Sequence, residues 1–157
     1  MKDVQGFFMD LITNKVLISA LLAWAVAQVS KVLLDVVKGS FTVDRLTGSG
    51  GMPSSHSATS LGLITATALT YGVGGFEFPM AFFFGIIVIY DAMGVRMETG
   101  REAQVLNKLR ERDLAEGKEP LFNKPLREKI GHTLPEIIVG GLIGIAAALI
   151  VCLAILA

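Results

Sequence analysis

"VLISALLAWAVAQVSKVLLDVV", Val16 to Val37, is the stretch that decides the fold class. It is an almost unbroken apolar run whose charged members are Lys31 and Asp35. A helix of about 20 such residues crosses the roughly 30 Å hydrocarbon core of a bilayer, so the run reads as a transmembrane span. The whole chain agrees. Of its 157 residues, 52% are hydrophobic, and the mean hydropathy is +0.61. That is too apolar for an ordinary soluble domain, and the length suits one membrane domain over residues 1–157. Formal net charge is zero, so bulk charge identifies no partner. The single cysteine, Cys152, lies in an apolar run and can form no intramolecular disulfide.

Upstream, Val4, Phe7, Phe8, Leu11 and Ile12 recur at helical spacing around Lys2, Asp3 and Asp10. They read as a short interfacial helix or as a frayed terminus. "MKDVQGFFMDLITNK" carries no signal-peptide cleavage pattern. Downstream lie three more apolar segments, at about 55–73, 78–95 and 134–157. The last is comfortably long enough to span. The two middle segments are short and polar at one end, which is tolerable only where that end lines a protein-enclosed or wet cavity. The expectation is an all-α integral membrane protein. It has a four-span helical bundle, an N-terminal interfacial helix and a polar extension of span three.

Charge placement orients the bundle. The segment at about 96–132 holds nine of the fourteen Lys and Arg residues. Its first part reads as a helix to about Glu116, and Gly117 to Pro125 as a loop. The positive-inside rule makes this segment cytoplasmic. The link from Tyr71 to Glu77 has no Lys or Arg, as expected outside. The 38–54 connection then also faces the cytoplasm, and both chain ends face outward, with Lys2 and Lys15 weighing mildly against. His56 and His132, the two histidines, fall on the same membrane face.

Several polar groups near the spans carry two readings each. Lys31 and Asp35 form an i,i+4 pair with Lys31 snorkelling, or Lys31 faces inward toward an anion. Arg96, Gly100, Gln104 and Lys108 lie at steps of four, either a solvated stripe or a functional one. Asp91 precedes the charge-rich part and needs a partner, for which Arg96 is placed. Glu136 follows His132 by four residues. It either fixes the imidazole tautomer or merely favours the helix dipole at a first turn, with Thr133 as cap and Pro135 in the first turn. Gly140, Gly144 and Ala148 form a small-residue ridge, read as close helix packing.

The turn "GSGGMPSSHSATS", Gly48 to Ser60, stands between the first two spans. Its glycines permit sharp turning and close backbone approach to a ligand. Pro53 fits a helix start, and Ser54 and Ser55 are good caps. A helix N-terminus there offers N–H groups and a positive dipole end to an anion such as phosphate. His56, in the first turn, could donate a proton to a departing oxygen.

"GGMPSSHSA" resembles the Pro-Ser-Gly-His motif of the type 2 phosphatidic acid phosphatase superfamily, which includes the vanadium haloperoxidases. Together, "QVSK", "GSGGMPSSHSA", "YDAMGVR…G…Q…LN" and "GHTLPEIIVGGLIG" resemble the small divergent branch of that superfamily, from about Gln28 to Gly144. Ser55 stands where Gly is usual. His132 and Glu136 match the final His and acid, with Glu for Asp. The superfamily's Ser-Arg is missing: position 126 is Leu126, and Arg127 is one residue too close. Arg96 could supply the guanidinium instead. Lys31 matches the lysine of the divergent branch. Lys38 and Arg45 have the wider superfamily's lysine–arginine spacing, with Leu46 in place of its Pro.

The resemblance implies metal-independent hydrolysis of a lipid phosphomonoester or diphosphate, with no cofactor. His132 would be the nucleophile, Glu136 its orienting acid and His56 the proton donor. Lys31, Arg96 and the groups of Ser54 and Ser55 would hold the phosphate. Lys38, Arg45, Asp91 and Arg127 are further candidates. The expected partners are the bilayer and a phosphorylated membrane lipid, with no nucleic acid and with a homodimer open. The expected place is a bacterial cell membrane, with the site on the cytoplasmic side. Two other readings stand beside this one: a non-catalytic protein that binds phospholipids or assembles with partners, and a lipid transporter. A metal site from His56, His132 and acids lacks ligand spacing. If one phosphate fits between the two histidines, they should approach to about 5–8 Å.

Overall fold

The computed structural model describes residues 4–39 and 50–155. Arg45 and Gly48, both singled out in the sequence, lie outside the described residues. The described chain is helical: α1 (Val4–Ile12), α2 (Lys15–Val37), α3 (Ser55–Tyr71), α4 (Glu77–Tyr90), α5 (Arg96–Ala115) and α6 (Leu134–Leu149). A π turn, Asp91–Val95, joins α4 to α5, and another, Ile150–Ile155, extends α6.

Three starts have a local cause. The Asn14 side chain accepts the Leu17 N–H at 3.0 Å and caps α2. The Ser54 side chain accepts the Ser57 N–H at 3.3 Å and caps α3. Glu136, in the first turn of α6, reaches back to the Thr133 N–H at 3.1 Å, one half of a capping box. α1 buries none of its residues; Phe7, Phe8 and Ile12 are all exposed. An apolar helix that buries none of its residues suits a membrane interface.

By length and composition, three helices can cross a membrane: Lys15–Val37, Glu77–Ala115 and Leu134–Ala154. The second of these is 39 residues long, which is about 58 Å at about 1.5 Å per residue. That is nearly twice the hydrocarbon core, so α5 projects beyond it. α3 has 17 residues and is the least apolar member of the bundle. Its position explains this: it packs against α2, α4 and α6, so protein rather than lipid surrounds it. Several of its hydroxyls bond back to the helix backbone. Thr59 donates to the Ser55 carbonyl and Thr67 to the Leu63 carbonyl, each at 2.8 Å.

Small residues make the interior. Ala23, Ala27, Ala58 and Ala147 form one buried cluster, and Ala66, Ala148 and Cys152 another. Larger side chains such as Leu21, Trp24, Phe83, Ile87 and Leu142 are exposed, as expected of a bundle in lipid, where close approach rather than water exclusion holds helices together. The ridge of α6 is used inside the chain. A Cβ at Gly140 would meet the Ser54 carbonyl and the Ser57 hydroxyl, and one at Gly144 the Ala58 carbonyl and the Gly62 N–H. The chain is an all-helical integral membrane protein.

Gly144→Leu should therefore force α3 and α6 apart, at a cost of about 1–3 kcal/mol or more. Gly74→Ala adds a Cβ with nothing within 4 Å and should change stability by less than about 0.5 kcal/mol. Thermal unfolding in detergent checks both. Equal midpoints for the two variants would contradict this seam.

Candidate functional site

The site begins where α3 and α6 start side by side. The Ser54 N–H donates to the Glu136 carbonyl at 3.1 Å, tying the Gly-Pro-Ser turn to the first turn of α6. Gly50, at φ +95°, lies against the Gly131 and Lys129 carbonyls. Residues 126–132 form a strap across α5. Asn107, buried on α5, donates to the Leu126 carbonyl and to Glu128 Oε1, and accepts the Leu126 N–H, each at 2.8 Å. Arg110 donates to the Phe122 and Asn123 carbonyls. A Cβ at Gly100 would collide with the Glu128 carbonyl. Gly131, at φ +88°, packs on the Met97 backbone. The His132 N–H then donates to the Ala92 carbonyl at 2.9 Å, within the π turn, where the carbonyl ladder is distorted.

This brings the two histidines into direct contact. His132 is 1% exposed. Its Nδ1 lies 3.0 Å from Glu136 Oε2, the oxygen that also accepts the Thr133 N–H. Its Nε2 lies 3.3 Å from His56 Nδ1. The ring centroids are 5.5 Å apart, with planes at 64°. A carboxylate can only accept, so His132 Nδ1 carries the proton and Nε2 presents a lone pair. That lone pair accepts from His56 Nδ1–H, which makes a chain Glu136–His132–His56. The expected gap for a phosphate between the rings is absent. The centroid distance falls in the expected range, but the facing nitrogens already touch, so an anion must come beside the pair or turn His56 aside.

The cations take distinct places. Lys31 is 3% exposed and donates to Gln28 Oε1 at 3.1 Å. Arg96 Nε donates to Asp91 Oδ2 at 2.7 Å, and both side chains are about half exposed. Lys31 and Arg96 lie close enough to act on the charge of both histidines. Lys38 is exposed just past α2, and Arg127 is exposed on the strap. Ser54 is fully buried; its N–H donates to the Glu136 carbonyl, and its hydroxyl oxygen accepts the Ser57 N–H. Among the described residues, the first-turn N–H groups of Ser55 and His56 meet no acceptor, as is usual where a helix begins. The stripe Arg96, Gly100, Gln104 and Lys108 divides. The buried face of α5 is Gly100, Ala103 and Asn107, while Gln104 and Lys108 are exposed.

Sequence reasoning gave no role to Asn107, Gly131 or the Ala92 carbonyl. The "LN" of the third motif contained the first, and a glycine directly before a histidine hinted at the second. The π turn had no signal in residue pattern. Among the described residues, no group of three or more His, Cys, Asp or Glu side chains converges.

Burial holds the His132 imidazole below its ordinary value of 6.5, and the hydrogen bond and charge of Glu136 partly offset this. Lys31 and Arg96 add to the lowering. His132 is therefore neutral at pH 7. The unfolded chain binds this proton more tightly, so the group's share of stability falls as pH drops through 6.5. Nitrogen-15 NMR of the two histidines should show His132 titrating below 6.5. Glu136→Gln should move it lower still, because the acceptor charge that favours imidazolium is gone. An upward shift in Glu136→Gln would contradict the contact.

The model of the divergent PAP2 family matches residues 12–147, which takes in Lys31, His56, Arg96, His132 and Glu136. An uncharacterized membrane protein of Bacillus subtilis (strain 168), YuiD, is 38% identical, over 90% of this chain and 96% of its own length. No solved structure matches. With a family model over most of the chain and a relative similar along nearly its whole length, the chain belongs to the divergent PAP2 family.

Proposed function

We propose that the chain is a lipid-phosphate phosphatase that works through a phosphohistidine. The observation that carries this reading is the Glu136–His132–His56 chain, with contacts of 3.0 and 3.3 Å. A neutral imidazole with one nitrogen fixed by a carboxylate has its other nitrogen available as a nucleophile. His132 Nε2 attacks phosphorus, and the bond from phosphorus to the lipid oxygen breaks. His56 gives its proton to that departing oxygen. Water then attacks the phosphohistidine, passes a proton to His56 and displaces His132, releasing inorganic phosphate. Lys31, Arg96 and the N–H groups of Ser55 and His56 neutralise the equatorial oxygens as charge builds. Entry of phosphate requires the His56 ring to turn away from His132.

The basic segment from Arg96 to His132 supports a cytoplasmic site, and the reading places the protein in a bacterial cell membrane as a single membrane domain. Phosphatidic acid, phosphatidylglycerophosphate and polyprenyl phosphates or diphosphates are the substrate candidates. The second reading is a non-catalytic phospholipid-binding protein. It is favoured by the closed His56–His132 contact, which occupies the position a reacting phosphate needs.

Phosphate release from vesicles of these lipids, in EDTA, separates the two. The parent should release phosphate, His132→Ala should fall to background, and His56→Ala should lose about 10²–10⁴-fold. No release by the parent on any lipid sinks the phosphatase reading. Equal rates in the parent and His132→Ala remove the nucleophile, and loss of release in EDTA argues for a metal.

A further inference from the structure

α2 and α4 each pack on α3, and an open slot is left between them with α3 as its floor. Near His56 it is a cavity of about 280 Å³, walled by Trp24, Leu63, Phe84 and Val88. Ser55, Thr59 and Ser60 make its polar end beside His56. A second cavity, of about 480 Å³, shares Leu63 and Phe84 with the first and continues along α3 to Thr67 and Tyr71. The two make one groove, apolar along most of its length. From His56 to Thr67 it runs about 16 Å at about 1.5 Å per residue, roughly half the hydrocarbon core, which is one leaflet.

The groove is asymmetric in charge. His56 stands at one end, within reach of the charges of Lys31 and Arg96; the walls beyond it are mainly apolar, with Asn14, Thr67, Tyr71 and Glu77 the polar exceptions. An occupant must therefore be an amphiphile with an anionic head and an apolar tail about one leaflet long. The cavity on the other side of the histidine pair, about 400 Å³, is lined by Arg101, Gln104, Glu128 and Lys129 beside His132. It is suited to water and ions rather than to a hydrocarbon chain.

We infer that the α2–α3–α4 slot is the binding site for one hydrocarbon chain of a phosphate-bearing lipid. The lipid enters sideways from the leaflet and brings its phosphate to the His56 end. This rests on the site acting on a lipid phosphate, and it adds where the lipid lies and from which side it comes. Thr59 beside His56 and Val88 on the α4 wall then set whether a chain can lie against His56.

Trp24 is the chain's only tryptophan, so its fluorescence reports on the slot. The full chain is placed in phosphatidylcholine vesicles that contain a small fraction of phosphatidic acid brominated on its acyl chain. A parallel sample holds the same fraction of brominated phosphatidylcholine. Brominated phosphatidic acid should quench Trp24 several-fold more. Thr59→Phe, which fills the slot beside His56, should reduce the two lipids to equal quenching. Val88→Phe on the α4 wall repeats the test from the other side should Thr59→Phe fail to fold. Equal quenching by both lipids in the parent, or excess quenching that survives both fillings, overturns the slot. An inactive parent with selective quenching keeps the slot and sinks the phosphatase reading. An active parent with equal quenching does the reverse.

Discussion

Gly140 and Ser54 meet where no Cβ can enter, and the rest of the structure depends on that close approach. It sets the N-termini of α3 and α6 side by side and lets the Ser54 N–H reach the Glu136 carbonyl. With the starts aligned, the first turn of α3 carries His56 to the residue that precedes the cap of α6, His132. A bundle held by bulky side chains would keep these starts farther apart. In lipid, where apolar surface gains little from leaving its surroundings, small residues are also what holds helices together. Packing and site geometry therefore have one cause.

The same approach sets the electrostatics. Two imidazoles in contact cannot both be charged without mutual repulsion, and His132 is buried besides. Glu136 opposes that burial, but its larger effect is directional. It accepts a hydrogen bond from Nδ1–H and leaves Nε2 aimed at His56. Lys31 and Arg96 stand near enough to be felt by both rings; Arg96 is paired with Asp91, and Lys31 donates to Gln28. On the proposed function, an arriving phosphate offsets the cations and separates the rings. The strap from Leu126 to His132 holds this geometry from the other side, through Asn107 on α5 and the Ala92 carbonyl.

Much of this was legible in the sequence, for physical reasons. The 16–37 run and the 134–157 run are long enough that length alone identifies them. α3 was legible only as a short polar segment, because enclosure by three other helices replaces hydropathy as its reason to be there. His56 and His132 could be placed on one membrane face by counting spans and charges. Their direct contact could not, since it depends on a seam set by the backbone of Gly140. The stripe at steps of four from Arg96 divides because four residues overshoot the 3.6-residue turn, so it drifts off the packed face along α5. The packed face is instead Gly100, Ala103 and Asn107. No residue pattern announces the π turn before α5.

The central claim is that His132 carries the phosphoryl group between lipid and water. The most direct measurement is mass spectrometry of the full chain, quenched in base within a turnover of a lipid phosphate and digested to peptides. The account predicts one phosphate, stable in base and labile in acid, on His132. Turnover with no phosphorylated peptide, or with phosphate on any other residue, would contradict it.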